Sequence, residues 1–148
     1  MPHRVVLDAD WFLIDGVRHF KVISYFAPTL GLFGEFTFSL PPGAAVHAPE
    51  LQLQARKTHH LDWRSIGTFR HDQVDRALSF LRIRLNVQLE DLEFFAKGSE
   101  KANLLAHYLG SVTDLDQVGC PRYQDLTELG RTTLNKAVAY GSWLEWSD

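Results

Sequence analysis

Two carboxylates, Asp8 and Asp10, stand two residues apart in the stretch Arg4 to Asp15, RVVLDADWFLID. The apolar run Val5-Val6-Leu7 ahead of them reads as a β-strand, on which residues i and i+2 project from the same face. Same-face carboxylates repel unless a metal ion, a side-chain cation or protons neutralise them. Which of the three does so sets the chemistry. Acids that hold divalent ions can activate water for two-metal hydrolysis, and acids closed off by lysines cannot. The structural alternative is a strand end carrying two solvated acids.

The elements that position this pair follow along the chain. Asp15-Gly16 reads as a hairpin turn. His19 to Phe26 is a second strand, and Glu35 to Leu40, EFTFSL, a third, with a turn over residues 29–34 between them. Tight connections make these three an antiparallel meander. Residues 43–71 show no sustained period and read as irregular. His59 and His60 lie there; on an extended chain adjacent histidines face opposite sides, so they are a poor chelating pair and read as loop packing. Asp72 caps a helix to about Leu85, with Val74, Ala77, Leu78, Leu81 and Leu85 on one face. Leu92 to Lys97 is a fourth strand. A helix of about ten residues then ends at Gly110, and Ser111 to Leu115 is a fifth strand. A short helical piece around Tyr123 to Leu129 precedes the last helix, Thr132 to Trp146. Strands four and five bracket a helix of crossover length and should be parallel. The expectation is one α/β domain over residues 1–148, a mixed five-stranded sheet of three antiparallel then two parallel strands, flanked by helices.

Composition is that of an ordinary globular protein, 45% apolar and 22% charged. No apolar run approaches a membrane span, and the N-terminus shows no secretory pattern. Cys120 is the one cysteine, which rules out an internal disulfide and any zinc site needing two cysteines. A reducing intracellular location, cytoplasmic or nuclear, is expected. The net charge of −3 is uneven: residues 51–86 hold seven Lys/Arg against three Asp/Glu, while residues 87–148 hold five against ten. Arg70, Arg76, Arg82 and Arg84 fall in the basic part. They are the expected contacts for a nucleic acid, although Arg82 and Arg84 point to different helix faces. A solvated helix face is the bland reading of the same charges.

The element order, with an acidic pair on strand one, resembles the ribonuclease-H-like superfamily, and within it the DEDD-type 3′–5′ exonucleases. In that family an Asp-x-Glu motif on the first strand helps hold two divalent ions; Asp8 and Asp10 match it, with Asp for Glu. A second motif places an Asp in the helix after strand four. Here Lys97-Gly98-Ser99-Glu100-Lys101-Ala102-Asn103-Leu104-Leu105 puts Lys101 at that position; a slip of one residue puts Glu100 there. Val112-Thr113-Asp114-Leu115 resembles the family's fifth strand. In the last helix the family has a His and, five residues later, an Asp followed by Ala; here Arg131 stands for the His and Lys136 for the Asp, before Ala137. The fold also resembles the Maelstrom domain, whose zinc site needs more cysteines than this chain has.

The resemblance implies a non-catalytic domain that binds single-stranded RNA or DNA, or a protein partner. Asp8, Asp10 and Asp114 would be vestigial, Lys101, Arg131 and Lys136 would be the site's cations, and no metal or cofactor would be bound. The competing expectation is an active exonuclease using Mg²⁺ or Mn²⁺ on Asp8, Asp10, Asp114 or Asp116, and perhaps Glu100. A third is a structural, oligomer-forming module. Trp143 and Trp146 would anchor it, unless they are core residues of the last helix, which is the preferred reading.

Overall fold

The computed structural model describes residues 2–147. In chain order the strands and helices are β1 (His3–Ile14), β2 (Val17–Ala27), β3 (Leu32–Thr37), α1 (Ala48–Lys57), α2 (Val74–Ser79), α3 (Leu81–Leu85), β4 (Leu92–Ala96), α4 (Ser99–Leu109), β5 (Val112–Asp114), α5 (Tyr123–Leu126) and α6 (Thr133–Trp146). The sheet order is β3-β2-β1-β4-β5. β1, β2 and β3 form an antiparallel meander; β4 runs parallel to β1, and β5 parallel to β4. This is the expected α/β mixed sheet. The first turn is built as its residues demand: Asp15 and Gly16 both take positive φ, 51° and 78°, which fits a type I′ hairpin. No helix among the described residues is long and apolar enough to cross a membrane.

Alternation along β1 divides the core. Val5, Leu7 and Ala9 face one side, where α2, α3 and α4 cover them with Leu78, Leu81 and Leu105. Val6 faces the other side, with Phe95, Leu115, Tyr123, Tyr140 and Leu144. Asp8 lies on this second side by the same alternation, so a carboxylate sits on the apolar face that α6 covers. Between Asp10 and Trp11 the register shifts, and Lys21 is the extra residue on β2. Such a bulge re-aims side chains. Beyond it Phe12 and Ile14 pack against Leu51 and Ala55 of α1.

Three elements depart from the sequence reading. Residues 43–71 are not irregular throughout: a 3₁₀ turn at Ala44–His47 leads into α1. Its core face is only Leu51 and Ala55, one i, i+4 pair, too short to register as a period. The helix expected from Asp72 to Leu85 is two short helices broken at Phe80, and Gln73, not Asp72, is the residue at the start. Ser79 Oγ donates to the Arg76 carbonyl at 2.6 Å. Phe80 meanwhile leans on Phe69, and a serine bonding back to its own helix favours such a break. β3 begins at Leu32 rather than Glu35 and ends at Thr37, after which Phe38 forms a lone bridge with Phe69.

Candidate functional site: a buried charge cluster on the central strand

Asp8 is completely buried. Lys101, from the first turn of α4, reaches it with Nζ 2.6 Å from Asp8 Oδ1. The other oxygen, Oδ2, is buried without a hydrogen-bond partner. Opposite Asp8 on β2 stands Ser24, also fully buried, whose Oγ lies 2.6 Å from Thr133 Oγ1 at the start of α6. Thr132 caps α6, accepting from the Asn135 amide at 3.1 Å. The cap fixes the first turn of α6, from which Lys136 extends toward the strand.

Electrostatics tie the cluster together. Burial raises the Asp8 carboxyl above the usual carboxylate range, opposed by the ammonium of Lys101 and then that of Lys136. Asp10 is raised in the same way and opposed by the same two lysines. Burial lowers Lys136, and Asp8 counters that shift. Tyr140, one helical turn beyond Lys136, is pushed well above the usual phenol range by burial and by the Asp8 charge. Asp8 and Asp10 thus feel the charges of both Lys101 and Lys136, and burial opposes the charged form of each acid and of Lys136.

The titration has a testable sign. A carboxyl whose folded value is raised stabilises the fold below its ordinary value of 3.8 and loses that contribution as pH climbs through the raised value. Wild type should therefore lose stability relative to Asp10→Asn on going from about pH 4 to about pH 7. Thermal melts of both proteins at the two pH values check this. Parallel behaviour would mean that Asp10 titrates as an exposed acid does.

Of the other expected site residues, Glu100 and Arg131 lie at the margin of this cluster, Glu100 lining a cleft with Asp10 and Lys101 and Arg131 bearing by its charge on Lys136. Asp114 Oδ1 accepts from the Gly98 and Asp116 amides at 2.9 and 2.8 Å, capping the 3₁₀ turn after β5 and tying it to the start of α4. Asp116 pairs with Lys97. Glu100 turns to the surface and bonds Arg18 at 3.0 Å, so the residue of α4 that meets β1 is Lys101. Arg131 is exposed and stacks over Tyr123 at 5.4 Å. Among the arginines, Arg84 is held as a clamp: it donates to the Glu35 carbonyl at 3.0 Å and lies 4.3 Å over the Phe36 ring. Arg70 bonds Asp72. Arg76 and Arg82 are exposed on different short helices. The structure does not bring the four arginines into one groove.

His59 is a structural residue. Its Nδ1 accepts from the Leu61 amide at 3.1 Å, so the proton is on Nε2, which donates to the Trp11 carbonyl at 3.0 Å. Burial lowers its pKa, which favours this neutral form. Cys120 is buried, with its thiol pushed up to about 11 by burial, and is no nucleophile near neutrality. Sequence reasoning missed Lys21, Ser24, Thr133 and Tyr140. A lone lysine and a lone serine inside the apolar strand HFKVISYF were the available signal.

The residues do not fit a pair of divalent ions. Two positions that the resemblance assigns to carboxylates carry ammonium groups, which cannot ligate while charged, and one of them occupies Asp8 itself. Asp114 spends one oxygen on two backbone amides. Among the described residues no group of three or more His, Cys, Asp or Glu converges. No family model matches the chain, and no curated protein sequence matches it.

Proposed function

We propose that this chain is a ribonuclease-H-like domain, similar to the DEDD-type exonucleases, that binds a partner and does not hydrolyse. The observation that carries this reading is the Lys101 ammonium on Asp8 at 2.6 Å, in the place where such an exonuclease needs a cation held by carboxylates. The mixed sheet of three antiparallel then two parallel strands, with the acidic pair on its first strand, is consistent with the resemblance. His59 lines the same clefts as Asp10, but both its ring nitrogens are engaged by backbone groups, and Lys101 pairs with Asp8 where a carboxylate would help hold an ion, which leaves no group poised to prepare water for attack. A protein partner is favoured over nucleic acid, because Arg84 and Arg70 are engaged within the fold and Arg76 and Arg82 diverge.

The test is a labelled single strand of RNA or DNA incubated with the protein and Mn²⁺. The strand should stay intact, and Mn²⁺ should leave the melting temperature unchanged, since a ligand bound only to the folded state would raise it. Cleavage that needs Mn²⁺ and disappears in Asp8→Asn would restore the exonuclease. Salt-sensitive binding of the strand, lost in Arg76→Glu or Arg82→Glu, would make nucleic acid the partner.

A further inference from the structure

β3 is an edge of the sheet, and part of that edge is open. In an antiparallel strand the amide and carbonyl of one residue point the same way, and successive residues alternate. The Phe38 amide bonds the Lys21 carbonyl of β2, in line with the pairing of Phe36 with Ile23. Even-numbered residues of β3 therefore turn their backbone groups inward, and Phe33, Glu35 and Thr37 turn theirs outward. Farther along, the chain closes this edge itself: the Phe69 amide donates to the Thr37 carbonyl at 3.0 Å, beside a parallel bridge of Phe69 with Phe38. Arg84 takes the Glu35 carbonyl. The Phe33 amide, the Phe33 carbonyl and the Glu35 amide have no hydrogen-bond partner among the described residues. Leu32–Thr37 holds neither proline nor lysine, the usual guards of an open edge.

The side chains beside the open stretch differ in kind. Phe33, Glu35 and Thr37 share one face of the strand, the face that α6 covers. Phe33, 61% exposed, lines an uncharged cleft of about 770 Å³ with Leu129, Leu134, Val138 and Trp146. Trp146 is 89% exposed, which corrects the preferred sequence reading of it as a core residue; Trp143 packs partly against the second core. Glu35, two residues on, lines a second cleft of about 450 Å³ with Asp10, Thr37, Ile66 and Thr132. Its exposed carboxylate has no ion-pair partner among the described residues, and the Ser24 hydroxyl reaches it at 3.5 Å. At a spacing of two residues, then, the edge offers an apolar seat and an unpaired acid, beside three unpaired backbone groups.

We infer that an extended, basic segment of a partner protein adds to this edge as a further strand, antiparallel to β3. One peptide residue meets the Phe33 amide and carbonyl with its own carbonyl and amide, and the residue two places before it accepts from the Glu35 amide. Residues directly across a sheet share a face. The first of these is therefore apolar, covering Phe33 in the uncharged cleft, and the second is a lysine or arginine that reaches Glu35. The pattern recognised is Lys or Arg, any residue, then an apolar residue. Charge selects this occupant: a nucleic acid would bring phosphates to Glu35, and β3 of a second copy holds no base to pair with it. The inference rests on the partner-binding reading and names that partner's chemistry. The strand-cleavage assay tests the absence of hydrolysis and a peptide titration tests the edge, so either can fail without the other.

The probe is the heptapeptide TKTLTLT with fluorescein at its N-terminus, titrated with the full chain to about 500 µM and read by anisotropy, a range suited to weak association. Binding should saturate and should weaken with added salt. With peptide bound, the Phe33 and Glu35 amides should exchange more slowly, while the Gly34 and Phe36 amides, which face β2, stay protected throughout. Methylating the backbone nitrogen of the first leucine leaves every side chain in place and should weaken binding at least about tenfold. Glu35→Lys, a change at an exposed residue, should weaken it about tenfold, and a peptide with glutamate for its lysine should recover the loss on that variant. A wild type that shows no saturable binding overturns the inference. So does an N-methylated peptide that binds as well as the parent, which would leave an apolar cleft and no added strand. So does a Glu35→Lys variant that melts as wild type does and binds the parent peptide unchanged. Phe33 and Glu35 amides that slow with protein concentration alone would make the occupant a second copy, and overturn it too.

Discussion

Lys101→Met is expected to cost the fold about 3 kcal/mol near neutral pH, the lower end of what breaking a buried pair costs, because the lysine retains some contact with solvent. The methionine keeps most of the stem's volume, so the loss is the uncompensated Asp8 charge and not a cavity. Asp8 can escape that penalty by taking a proton. The deficit should therefore shrink as the pH falls toward about 4, since the variant's Asp8 is raised further than the wild type's and its penalty grows with pH. Urea titrations at the two pH values measure it. Asp8→Leu combined with Lys101→Met removes both charges and should recover most of the loss, because an apolar pair of similar volume replaces a buried ion pair at little cost. An equal deficit at both pH values would show that packing, not charge, is at stake.

Lys21→Met is expected to cost about 2–4 kcal/mol. Lys21 is buried, and its ammonium donates to the backbone carbonyls of Phe38, at 2.8 Å, and of Ser65. Burial lowers its pKa, and Asp62 opposes that shift. The Phe38 carbonyl, left buried without a donor, costs roughly 1–3 kcal/mol, and the carbonyl of the exposed Ser65 less. The damage should be local. Phe69 is joined to β3 by the Phe69 amide on the Thr37 carbonyl and the Ser39 amide on the Phe69 carbonyl, at 3.0 and 2.9 Å. Both amides should exchange with solvent faster in the variant, while amides of β1 paired with β4 keep their relative protection. Gly67 makes the same segment intolerant of change: a Cβ there would meet the Phe38 backbone at 2.3 Å. Unchanged exchange at Ser39 and Phe69 would mean that the loop holds without its lysine.

The fold was legible where two signals agreed. The Asp15-Gly16 turn, the alternating strands around it and the crossover-length helix Ser99–Leu109 each combined a period with a breaker, and together they gave the mixed sheet. α1 was missed because two buried residues cannot show a period, and the break at Phe80 because a hydrophobic stripe runs through it uninterrupted. The cluster was legible only in part. Spacing against the frame that the resemblance supplies marks Lys101 and Lys136; Lys101 pairs with Asp8, and the Lys136 charge bears on it. Lys21 carried no such mark. Its role follows from a bulge, and a bulge is a property of two paired strands rather than of either sequence alone.

The pairing of β1 with β4 has a consequence for synthesis. His3 registers with Leu92, and Leu7 with Ala96, so the central strand of the sheet is made first and gains its second neighbour some ninety residues later. At ordinary ribosomal speeds of about 5–20 residues per second, the meander, complete at Thr37, waits roughly 3–12 s for Ala96 with one edge of β1 unpaired. An open edge with apolar faces is a template for pairing with other chains. Asp8 and Asp10, not yet buried, are charged throughout that wait, and they are unpaired because Lys101 and Lys136 have not yet emerged. The acids that burden the finished core are thus gatekeepers of the nascent one, keeping β1 soluble until the helices that neutralise them arrive.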